Sequence, residues 1–579
     1  MKKLFLLFFF PVCHLTSYTC HAQNALFIPD TLSGTNFNIT VQSGTTQFFT
    51  GQNTPTFGYN GVFLGKTLLM NKGDSVTLNV TNNLTVPTTV HWHGFHIPAK
   101  DDGGPHQIIA PSTTWSPKFQ IKNNASTYWY HPHGEGKTEI QVSKGLAGII
   151  IIRDSAEATY NLPRKYKVDD FPLIVQTRVF DVFYQVQTAT HEDSIPMVNG
   201  TMNAFLKVPK QVVRFRLLNG SADRTFNFGL SDTSTFYVIA SDGGMLSQPY
   251  ATTRLRLSTG ERAEILIDFG ADTLGTQKYL MSYSSELPRG IIGADSVGTS
   301  TLVIQEGYYS NPLNGLDFNL LRFDVDSTTG NPVTTIPVSF APVVPIPTAS
   351  ATITRNILFS PDTVTSGQQG YVDGPFWMNY ETFDMDSINQ IVYLNTTEIW
   401  SLTNTTLVAH PFHIHDIQFF VVDINGNPPP AEYAGYKDVI LVKPNDTVRF
   451  ITTFDDFADD SIPYMYHCHL LHHEDDGMMG QFLVIDTNST VNVSSIDLEN
   501  SFLIYPNPTT GAFTIKNEIP IAIGIKIKNV EIYNLFGERI YDSYKINSSI
   551  DLSAQSNGIY LIKIESDKGN LNKKIVLTR

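Results

Sequence analysis

The sequence predicts an all-β protein built from several sandwich-like or barrel-like domains, and three observations support this prediction. Short runs rich in Val, Ile, Thr, Phe and Tyr recur along the chain, for example at 75–81, 211–218, 262–268 and 447–453. Gly, Asn, Asp and Pro separate these runs, and long stretches with helical periodicity are scarce. The chain has 579 residues, which is more than one hydrophobic core usually serves.

The composition is that of a folded, acidic protein. Hydrophobic residues make up 41% of the chain and charged residues 16%, whereas a disordered chain would be poorer in apolar residues and richer in charge. The formal net charge of −15, with no basic cluster to offset it, argues against nucleic-acid binding because an acidic surface repels phosphate backbones. The body contains no apolar run of about 18 residues, so no transmembrane segment is predicted there.

The first 22 residues have the pattern of a secretory signal peptide. Lys2 and Lys3 precede an apolar run at 4–12, and the small residue Ala22 stands before the expected cleavage point. The alternative is a buried N-terminal helix. The pattern predicts an exported protein that loses residues 1–22.

Export makes the cysteine count informative. Cys13 and Cys20 would leave with the signal peptide, so Cys468 would be the one thiol in the mature chain. No intramolecular disulfide is then expected. A lone cysteine in an oxidising compartment is a metal ligand, a nucleophile or a liability.

Changes in composition divide the chain into several units. The predicted boundaries are a charged stretch at 154–170, a Pro-rich stretch at 311–350 and an Asn/Ser/Thr/Val-rich stretch at 487–495. The predicted units are a first domain (24–160), a second domain (161–310), a Pro-rich connector (311–350), a third domain (351–488), a linker (489–501) and a small C-terminal domain (502–579).

Most of the 16 histidines lie in four short clusters near the two ends of the body, and between residues 134 and 409 there is a single one, His191. Successive side chains of a strand alternate between faces, so each H-x-H pair presents two imidazoles on one face. A single pair is compatible with a polar surface or a core contact, but four pairs predict shared metal sites. The clusters read HWHG (His91, His93), HPH (His131, His133), HPFHIH (His410, His413, His415) and HCHLLHHEDDGMM (His467, Cys468, His469, His472, His473, Met478).

Cys468 should point away from the two imidazoles that flank it on the strand. Its partners would then lie on the opposite face, where His410, His473 and Met478 are available. One thiolate, two imidazoles and a weak axial thioether form the ligand set of a blue copper site. A zinc site beside an ordinary core methionine is the alternative, but zinc prefers four strong tetrahedral ligands.

Eight imidazoles remain for a second metal centre. Eight neutral nitrogen ligands suffice for three copper ions with positions left open for a small molecule. One blue copper and three clustered coppers store the four electrons that reduce dioxygen to two waters. Cys468 is joined through the chain to a histidine on either side, which gives a short bonded path between the two centres. The eight residues are His91, His93, His131, His133, His413, His415, His467 and His469.

These motifs, in this order and spacing, resemble those of the three-domain multicopper oxidases, the laccase-like group. The chain is similar to the bacterial type that includes cuprous oxidases, spore-coat laccases and bilirubin oxidases. The resemblance implies three cupredoxin-like Greek-key barrel or sandwich domains, followed here by a small C-terminal β-sandwich. It covers about residues 40–490 and includes DDGGPHQ (101–107), GLAG (145–148), RLLNG (216–220), VIASDGG (238–244) and GERAEILIDF (260–269).

The resemblance also implies four copper ions and a role for each ligand. The copper cluster would lie between the first and third domains and help to hold them together. The implied ligands are His91 and His413 for the type 2 copper, His93, His131, His133, His415, His467 and His469 for the type 3 pair, and His410, Cys468, His473 and Met478 for the type 1 copper.

Two acids match positions where relatives carry proton-relay carboxylates, namely Asp102 and Glu474. Oxygen reduction consumes protons, so such acids would serve the reaction; the alternative is a pair of solvated loop acids. His96, His106 and His472 fit no ligand position. We expect them to be solvated loop histidines, with a channel lining as the alternative for His106 and His472.

The predicted reaction is oxidation of an organic donor, such as a phenol, an aromatic amine or a bile pigment, with dioxygen as the acceptor. An axial thioether from Met478 lowers the type 1 potential, so easily oxidised donors are expected. Relatives that oxidise Cu(I) carry a Met-rich insertion and an Asp and a Met where this chain has Thr406 and Val408. Cuprous oxidation and non-catalytic copper binding remain as alternatives. A copper nitrite reductase is disfavoured, because its sites lack the paired H-x-H set.

Residues 502–579 have the alternating hydrophobic pattern of a compact β-sandwich. They resemble the C-terminal sorting domain of the type IX secretion system of Bacteroidota. The resemblance implies contact with the secretion machinery, transit through the periplasm, and a final location at the cell surface or outside the cell. A carbohydrate-binding or partner-binding β module is the alternative.

Overall fold

The computed structural model describes residues 23–188, 190–299, 307–361, 374–487, 502–517, 527–543, 549–566 and 569–579. The predicted signal peptide (1–22) and the predicted linker (489–501) lie outside these residues. Regular structure in the described part is almost entirely β-strand, so the predicted all-β fold is confirmed. The strands of the described part form eight sheets, which pair into three sandwiches in the body and one in the tail.

The first sandwich alternates apolar and polar residues along its strands. Val76, Leu78 and Val80 are buried on one face of β7 (Ser75–Asn82) and share a core with Tyr128 and Ile150 of the facing sheet. The sheet orders are β10-β7-β3-β4-β5, with β9 beside β7, and β2-β6-β12-β11-β8. The first strands of the chain are β1 (Asn24–Ala25), β2 (Thr31–Ser33), β3 (Asn36–Phe49), β4 (Gln52–Tyr59), β5 (Leu64–Gly65), β6 (Thr67–Asn71), β7, β8 (His91–His93), β9 (Thr114–Trp115), β10 (Lys118–Gln120), β11 (Ser126–His131) and β12 (Gly148–Arg153).

The second sandwich has sheets ordered β15-β14-β13-β17-β22-β19-β20 and β1-β16-β24-β23-β18-β21. Its strands are β13 (Asp170–Arg178), β14 (Ile195–Val198), β15 (Thr201–Met202), β16 (Ala204–Pro209), β17 (Val212–Asn219), β18 (Phe226–Leu230), β19 (Phe236–Ser241), β20 (Gly244–Thr252), β21 (Leu255–Leu257), β22 (Arg262–Asp268), β23 (Gln277–Tyr283) and β24 (Asp317–Asp326). Buried charges on adjacent strands pair with one another: Arg216 Nε donates to Asp170 Oδ1 at 2.7 Å, and Arg214 Nε donates to Glu264 Oε2 at 2.9 Å.

Two predicted boundaries differ from the structure. Residues 317–326 were expected in the Pro-rich connector, but they form β24, which pairs with β16 and β23. The connector prediction is wrong for this segment because Leu321, Phe323 and Val325 alternate into the core of the second sandwich. Strand β1, expected in the first domain, pairs with β16 of the second sandwich.

The third sandwich has sheets ordered β26-β25-β28-β32-β30 and β27-β34-β33-β29-β31. Trp400 and Leu402 on one face of β28 are buried in its core with Phe412 and Phe450. Its strands are β25 (Ile353–Pro361), β26 (Phe376–Met378), β27 (Gln390–Tyr393), β28 (Thr396–Asn404), β29 (His410–Ile414), β30 (Phe420–Ile424), β31 (Val439–Val442), β32 (Thr447–Phe454), β33 (Asp459–Cys468) and β34 (Met479–Ile485).

The tail sandwich has sheets ordered β35-β36-β39 and β38-β37-β40-β41. Its core, which includes Phe513, Ile532 and Ile562, is formed by residues after 503 alone. Its strands are β35 (Phe502–Tyr505), β36 (Ala512–Asn517), β37 (Ile527–Tyr533), β38 (Arg539–Ser543), β39 (Ile550–Asp551), β40 (Gly558–Ser566) and β41 (Gly569–Leu577).

The described helices are short. Helix α1 (Thr138–Ser143) and helix α2 (Leu471–Asp475) meet between the first and third sandwiches, where the backbone N–H of Thr138 donates to Asp475 Oδ1 at 2.8 Å. No helix in the described part of the chain has the length and hydropathy needed to cross a bilayer. The 3₁₀ turns are Ala99–Asp101, Glu157–Thr159, Ser284–Glu286, Thr348–Ser350 and Ala431–Tyr433.

Candidate metal centre

The four histidine clusters lie on two pairs of antiparallel strands. In the first sandwich β8 pairs with β11, which sets His91 opposite His131. In the third sandwich β29 pairs with β33, which sets His413 opposite His467. Strands β8, β11 and β29 are buried along their whole length, and β33 is buried from Pro463 to Cys468, because one face lies in the sandwich core and the other faces the neighbouring sandwich.

Strand alternation directs the imidazoles of both sandwiches to their shared interface. Trp92, between the two histidines of β8, lies in the core of the first sandwich. The rings on either side of it cross to the third sandwich: His93 stacks on His413 with ring centroids 3.8 Å apart, and His91 stacks on His415 at 3.9 Å. The structure thus brings all eight predicted cluster histidines together, four from each sandwich.

Two groups of three imidazoles have their nitrogens directed at a common point. His93 Nδ1 lies 3.3 Å from His131 Nε2 and 3.3 Å from His469 Nε2. The second group consists of His133, His415 and His467. His467 Nε2 lies 3.1 Å from His133 Nε2 and 3.4 Å from His415 Nε2.

Two further ring nitrogens in the cluster, His91 Nε2 and His413 Nε2, are buried without a hydrogen-bond partner. Buried polar atoms normally have partners, and a metal ion would supply one for each of these lone pairs. The donor set therefore fits a cluster of metal ions.

Backbone carbonyls fix the tautomer of several of these rings. His131 Nδ1 donates to the Pro132 carbonyl at 2.8 Å, His413 Nδ1 to the Asp438 carbonyl at 2.8 Å, and His91 Nδ1 to the Asp102 carbonyl at 3.0 Å. A proton on Nδ1 leaves the Nε2 lone pair free to bind a metal.

The two predicted acids lie against ring nitrogens of the cluster. Asp102 Oδ2 is 2.6 Å from His415 Nδ1, and the Glu474 carboxylate is 3.3 Å from His133 Nδ1 and 3.2 Å from His467 Nδ1. Both acids are buried, so the alternative of solvated loop acids is wrong. Burial alone would raise the pKa of Glu474, but the facing imidazoles hold that pKa below its ordinary value.

A second group of donors surrounds Cys468. Its Sγ lies 3.5 Å from His410 Nδ1 and 3.6 Å from His473 Nδ1, and those two nitrogens are 3.2 Å apart. A point equidistant from the three atoms is about 2 Å from each, which is close to ordinary metal–imidazole distances. Met478 is buried, and its carbonyl accepts a hydrogen bond from the Cys468 N–H at 3.0 Å. The donor set fits one copper ion.

The surroundings of Cys468 keep its partners in place and exclude water. Phe376 packs on His410 and His473 with ring centroids 4.7 and 4.5 Å apart, and Thr406 Oγ1 lies 2.8 Å from His410 Nε2. A segment of the second sandwich packs on this region: the Ala409 N–H donates to the carbonyl of Gly290 at 2.6 Å. Tyr308 and Val297 of the same segment belong to the core of the third sandwich.

Burial sets the charge state of the donors. It lowers the pKa of His133, His410 and His469 to about 3, so these imidazoles are neutral, the form that binds metals. Burial also raises the pKa of the Cys468 thiol. A bound cation would favour the thiolate that copper requires.

Three histidines expected in solvated loops lie in interfaces instead. His96 Nδ1 is 2.8 Å from Asp416 Oδ1, and His106 Nε2 is 2.8 Å from Gln481 Oε1. His472 Nδ1 is 2.7 Å from Asp223 Oδ1, and its side chain is only 11% exposed. The prediction is wrong for all three, because each side chain reaches a residue of another sandwich.

A buried ion-pair network beside the cluster was not predicted from the sequence. Asp438 contacts His93 Nε2 through Oδ1 at 3.2 Å and forms a two-pronged pair with Arg262 of the second sandwich, at 2.6 Å for each prong. Lys437 contacts Asp242 at 2.8 Å and Glu261 at 2.7 Å. The available signal was weak: Arg262 lies in the quoted GERAEILIDF segment, but sequence does not indicate what it contacts.

A β-sandwich fold with a buried site of one cysteine and two histidines, beside a cluster of eight imidazoles, defines a copper protein of the cupredoxin type. Family models described as multicopper oxidase match residues 40–157, 161–308 and 356–488. The chain belongs to the multicopper oxidase family, and this membership implies copper binding. A further family model, described as a secretion system C-terminal sorting domain, matches residues 503–578.

Individual relatives agree with this family. The multicopper oxidase mco of Staphylococcus haemolyticus is 32% identical over 78% of this chain and 88% of its own length. A cell division protein FtsP from Sodalis glossinidius is 31% identical over 79% of this chain and 92% of its own length. The structure of a laccase-like multicopper oxidase, CueO from Ochrobactrum sp., is 33% identical and superposes with a TM-score of 0.69 over 79% of this chain and all of that one.

Proposed function

We propose that this protein couples one-electron oxidation of an organic donor at a type 1 copper to four-electron reduction of dioxygen to water at a trinuclear copper cluster. The observation that supports this is the convergence of two separate donor sets, one around Cys468 and one between the first and third sandwiches. When bound, the four coppers would store the four electrons that dioxygen requires.

The proposed ligand roles follow the donor groups. Three groups would hold the cluster. His91 with His413 would hold the type 2 copper. The two type 3 ions would be held by His93 with His131 and His469, and by His133 with His415 and His467. His410, Cys468, His473 and Met478 would hold the type 1 copper. Cys468 is bonded through the backbone to His467 and His469, so it provides the shortest covalent route between the two centres.

Asp102 and Glu474 are the acids that would deliver protons. Each carboxylate touches a ring nitrogen of a proposed ligand, so each can hold a proton within hydrogen-bond distance of the cluster. Thr138 Oγ1 donates to Glu474 Oε1 at 2.6 Å and orients that carboxylate. Replacement of Glu474 by Gln should slow oxygen reduction about 10²–10⁴-fold while the type 1 copper still accepts electrons from a donor.

An organic donor is favoured over Cu(I) by the residues before His410. Thr406 and Val408 are buried and provide neither a carboxylate nor a thioether, the groups suited to cuprous ions. The similar Ochrobactrum protein is described as having oxidase activity towards lignin model compounds and lignosulfonate. Oxygen uptake should be measured on copper-loaded protein with phenols, aromatic diamines, bilirubin and Cu(I). No uptake with any organic donor, but rapid uptake with Cu(I), would overturn the choice of donor.

A non-catalytic role is the second candidate, because similar chains include proteins named for cell division. Spectroscopy and oxygen-uptake measurements on copper-loaded protein distinguish the two candidate functions. An oxidase should show an intense blue thiolate-to-copper absorption, two distinct Cu(II) spin-resonance signals and donor-dependent oxygen uptake. Cys468→Ser should remove the blue absorption and the uptake together. A protein that binds copper tightly but consumes no oxygen would support the non-catalytic role.

The C-terminal sorting domain supports export by the type IX secretion system. We place the mature protein at the cell surface or outside the cell, after transit through the periplasm, with residues 502–579 in contact with the secretion machinery. Expression of the chain without residues 502–579 in a type IX-competent host should leave it in the periplasm. Surface delivery of the shortened chain would contradict this assignment.

A further inference from the structure

We propose that Asp438, held by Arg262, is a positioning residue that keeps the unprotonated Nδ1 of His93 turned towards the trinuclear centre. This inference rests on the proposed function, since it concerns the cluster between the first and third sandwiches. Neither residue is among the proposed copper ligands, and Arg262 comes from the second sandwich, which contributes no ligand to the cluster.

His93 is oriented differently from the other seven rings of the described cluster. The others turn Nε2 towards the centre, as His131, His413 and His467 illustrate. His93 instead directs Nδ1 to the nitrogens of its group and directs Nε2 away, to Asp438 Oδ1 at 3.2 Å. Asp438 thus contacts the one ring whose metal-facing nitrogen is Nδ1.

A carboxylate at this position fixes both the ring flip and the tautomer. Asp438 accepts hydrogen bonds only, so it requires the His93 proton on Nε2 and leaves the Nδ1 lone pair free for a metal. A 180° flip of the ring would exchange Nδ1 for Cδ2 and present a carbon atom to the cluster. The flipped ring would also leave the carboxylate facing a C–H group, so the observed orientation is favoured.

Arg262 holds the carboxylate in place. Its two terminal nitrogens lie 2.6 Å from the two Asp438 oxygens, and both side chains are fully buried. Such paired, charge-assisted bonds are strong and directional. The Asp438 carbonyl also accepts a hydrogen bond from His413 Nδ1 at 2.8 Å, so this one residue orients a ring from each of the two sandwiches that supply ligands.

Asp438→Asn in the full chain tests the proposal, because asparagine keeps the shape and changes the hydrogen-bond pattern. Each Asp438 oxygen accepts from one nitrogen of Arg262, so either orientation of the amide turns its N–H₂ towards a guanidinium nitrogen. The pair that holds the side chain against His93 is then broken, and the side chain no longer fixes the ring and its proton. Copper affinity at the trinuclear centre should fall about 10–100-fold. The near-ultraviolet absorption of the type 3 pair should weaken and copper per chain should fall, while the blue type 1 absorption stays intact. Asp438→Glu should restore part of the type 3 signal.

Glu264→Gln is the matched control, because it breaks a buried Arg–carboxylate pair in the second sandwich that touches no cluster histidine. It should lower the melting temperature yet keep the type 3 absorption and full copper content. The proposal is overturned if Asp438→Asn binds copper as the unmodified protein does, or if both variants lose the type 3 signal equally. Failure of the unmodified protein to bind four coppers would instead overturn the proposed function, on which this inference rests.

Discussion

Replacement of Gly103 by alanine should displace proposed copper ligands of the first sandwich without unfolding it. Gly103 has a φ of +84°, a left-handed conformation that costs other residues about 1–2 kcal/mol. A Cβ there would lie 1.8 Å from the Val90 carbonyl oxygen and 3.0 Å from the Cα of His91. Since these are backbone atoms, they cannot rotate away, and the segment must move by about 1.2 Å to relieve the overlap.

The displaced segment carries groups that orient the cluster. The Asp102 carbonyl accepts a hydrogen bond from His91, and its carboxylate contacts His415. A 1 Å misplacement costs about 100-fold in rate, so donor-dependent oxygen uptake should fall by that order. Backbone strain and overpacking together should lower the free energy of unfolding by about 2–5 kcal/mol. The type 2 spin-resonance signal should weaken, and the blue absorption from Cys468 should remain, because that site lies wholly in the third sandwich.

Gly73→Ala is the matched control for this prediction. Gly73 lies in the same sandwich with a φ of +93°, but an added Cβ would meet no atom within 4 Å. This variant should show only the conformational cost, with unchanged copper signals and oxygen uptake. The reasoning is refuted if Gly103→Ala, measured by spin resonance, oxygen electrode and thermal unfolding, behaves like Gly73→Ala.

Three further predictions concern separate parts of the chain. Burial opposes ionisation of Glu264, but Arg214 and Arg216 hold its pKa below the ordinary 4.5. The contribution of this carboxylate to stability is therefore present above about pH 4.5 and is lost as the pH falls. Glu264→Gln should lower the free energy of unfolding by about 3–5 kcal/mol at neutral pH, and measured stability should then fall less steeply in acid. Removal of residues 502–579 should leave copper content and oxygen uptake unchanged, because the tail has its own core. A loss of copper or of oxygen uptake in the shortened protein would contradict this prediction. Thr406→Val removes the hydroxyl that lies against Nε2 of the proposed type 1 ligand His410, and should raise the type 1 potential by on the order of 40 mV for a lost bond of about 1 kcal/mol. A potential measured by redox titration that stays the same or falls would contradict this prediction.

The proximity of the proposed copper ligands could be predicted from sequence because their pattern follows from strand geometry. The period of two along β8 and β33 places His91 with His93, and His467 with His469, on one face, and it places Cys468 on the other. The fold class followed from the same periodicity and from the turn residues between runs. Neither inference needed knowledge of how the domains meet.

Features that depend on contacts between domains could not be predicted in this way. Asp438 and Arg262 are far apart in sequence, and each alone has the pattern of an ordinary charged residue beside a strand. His472 lies in a polar stretch typical of a solvated loop, yet Asp223 of the second sandwich covers it. The connector was misjudged for a similar reason, because the Pro-rich composition around it obscured the core-facing alternation of β24.

Four of the eight cluster histidines lie at 91–133 and four at 413–469, and this separation in sequence matters for how the protein matures. Half of the set is synthesised early and the other half only when β33 is complete, so a nascent or truncated chain cannot assemble a trinuclear site. Copper uptake at that position would therefore require both the first and the third sandwich to be folded. Copper loading at the proposed trinuclear site would then distinguish molecules in which both sandwiches have folded from incomplete ones.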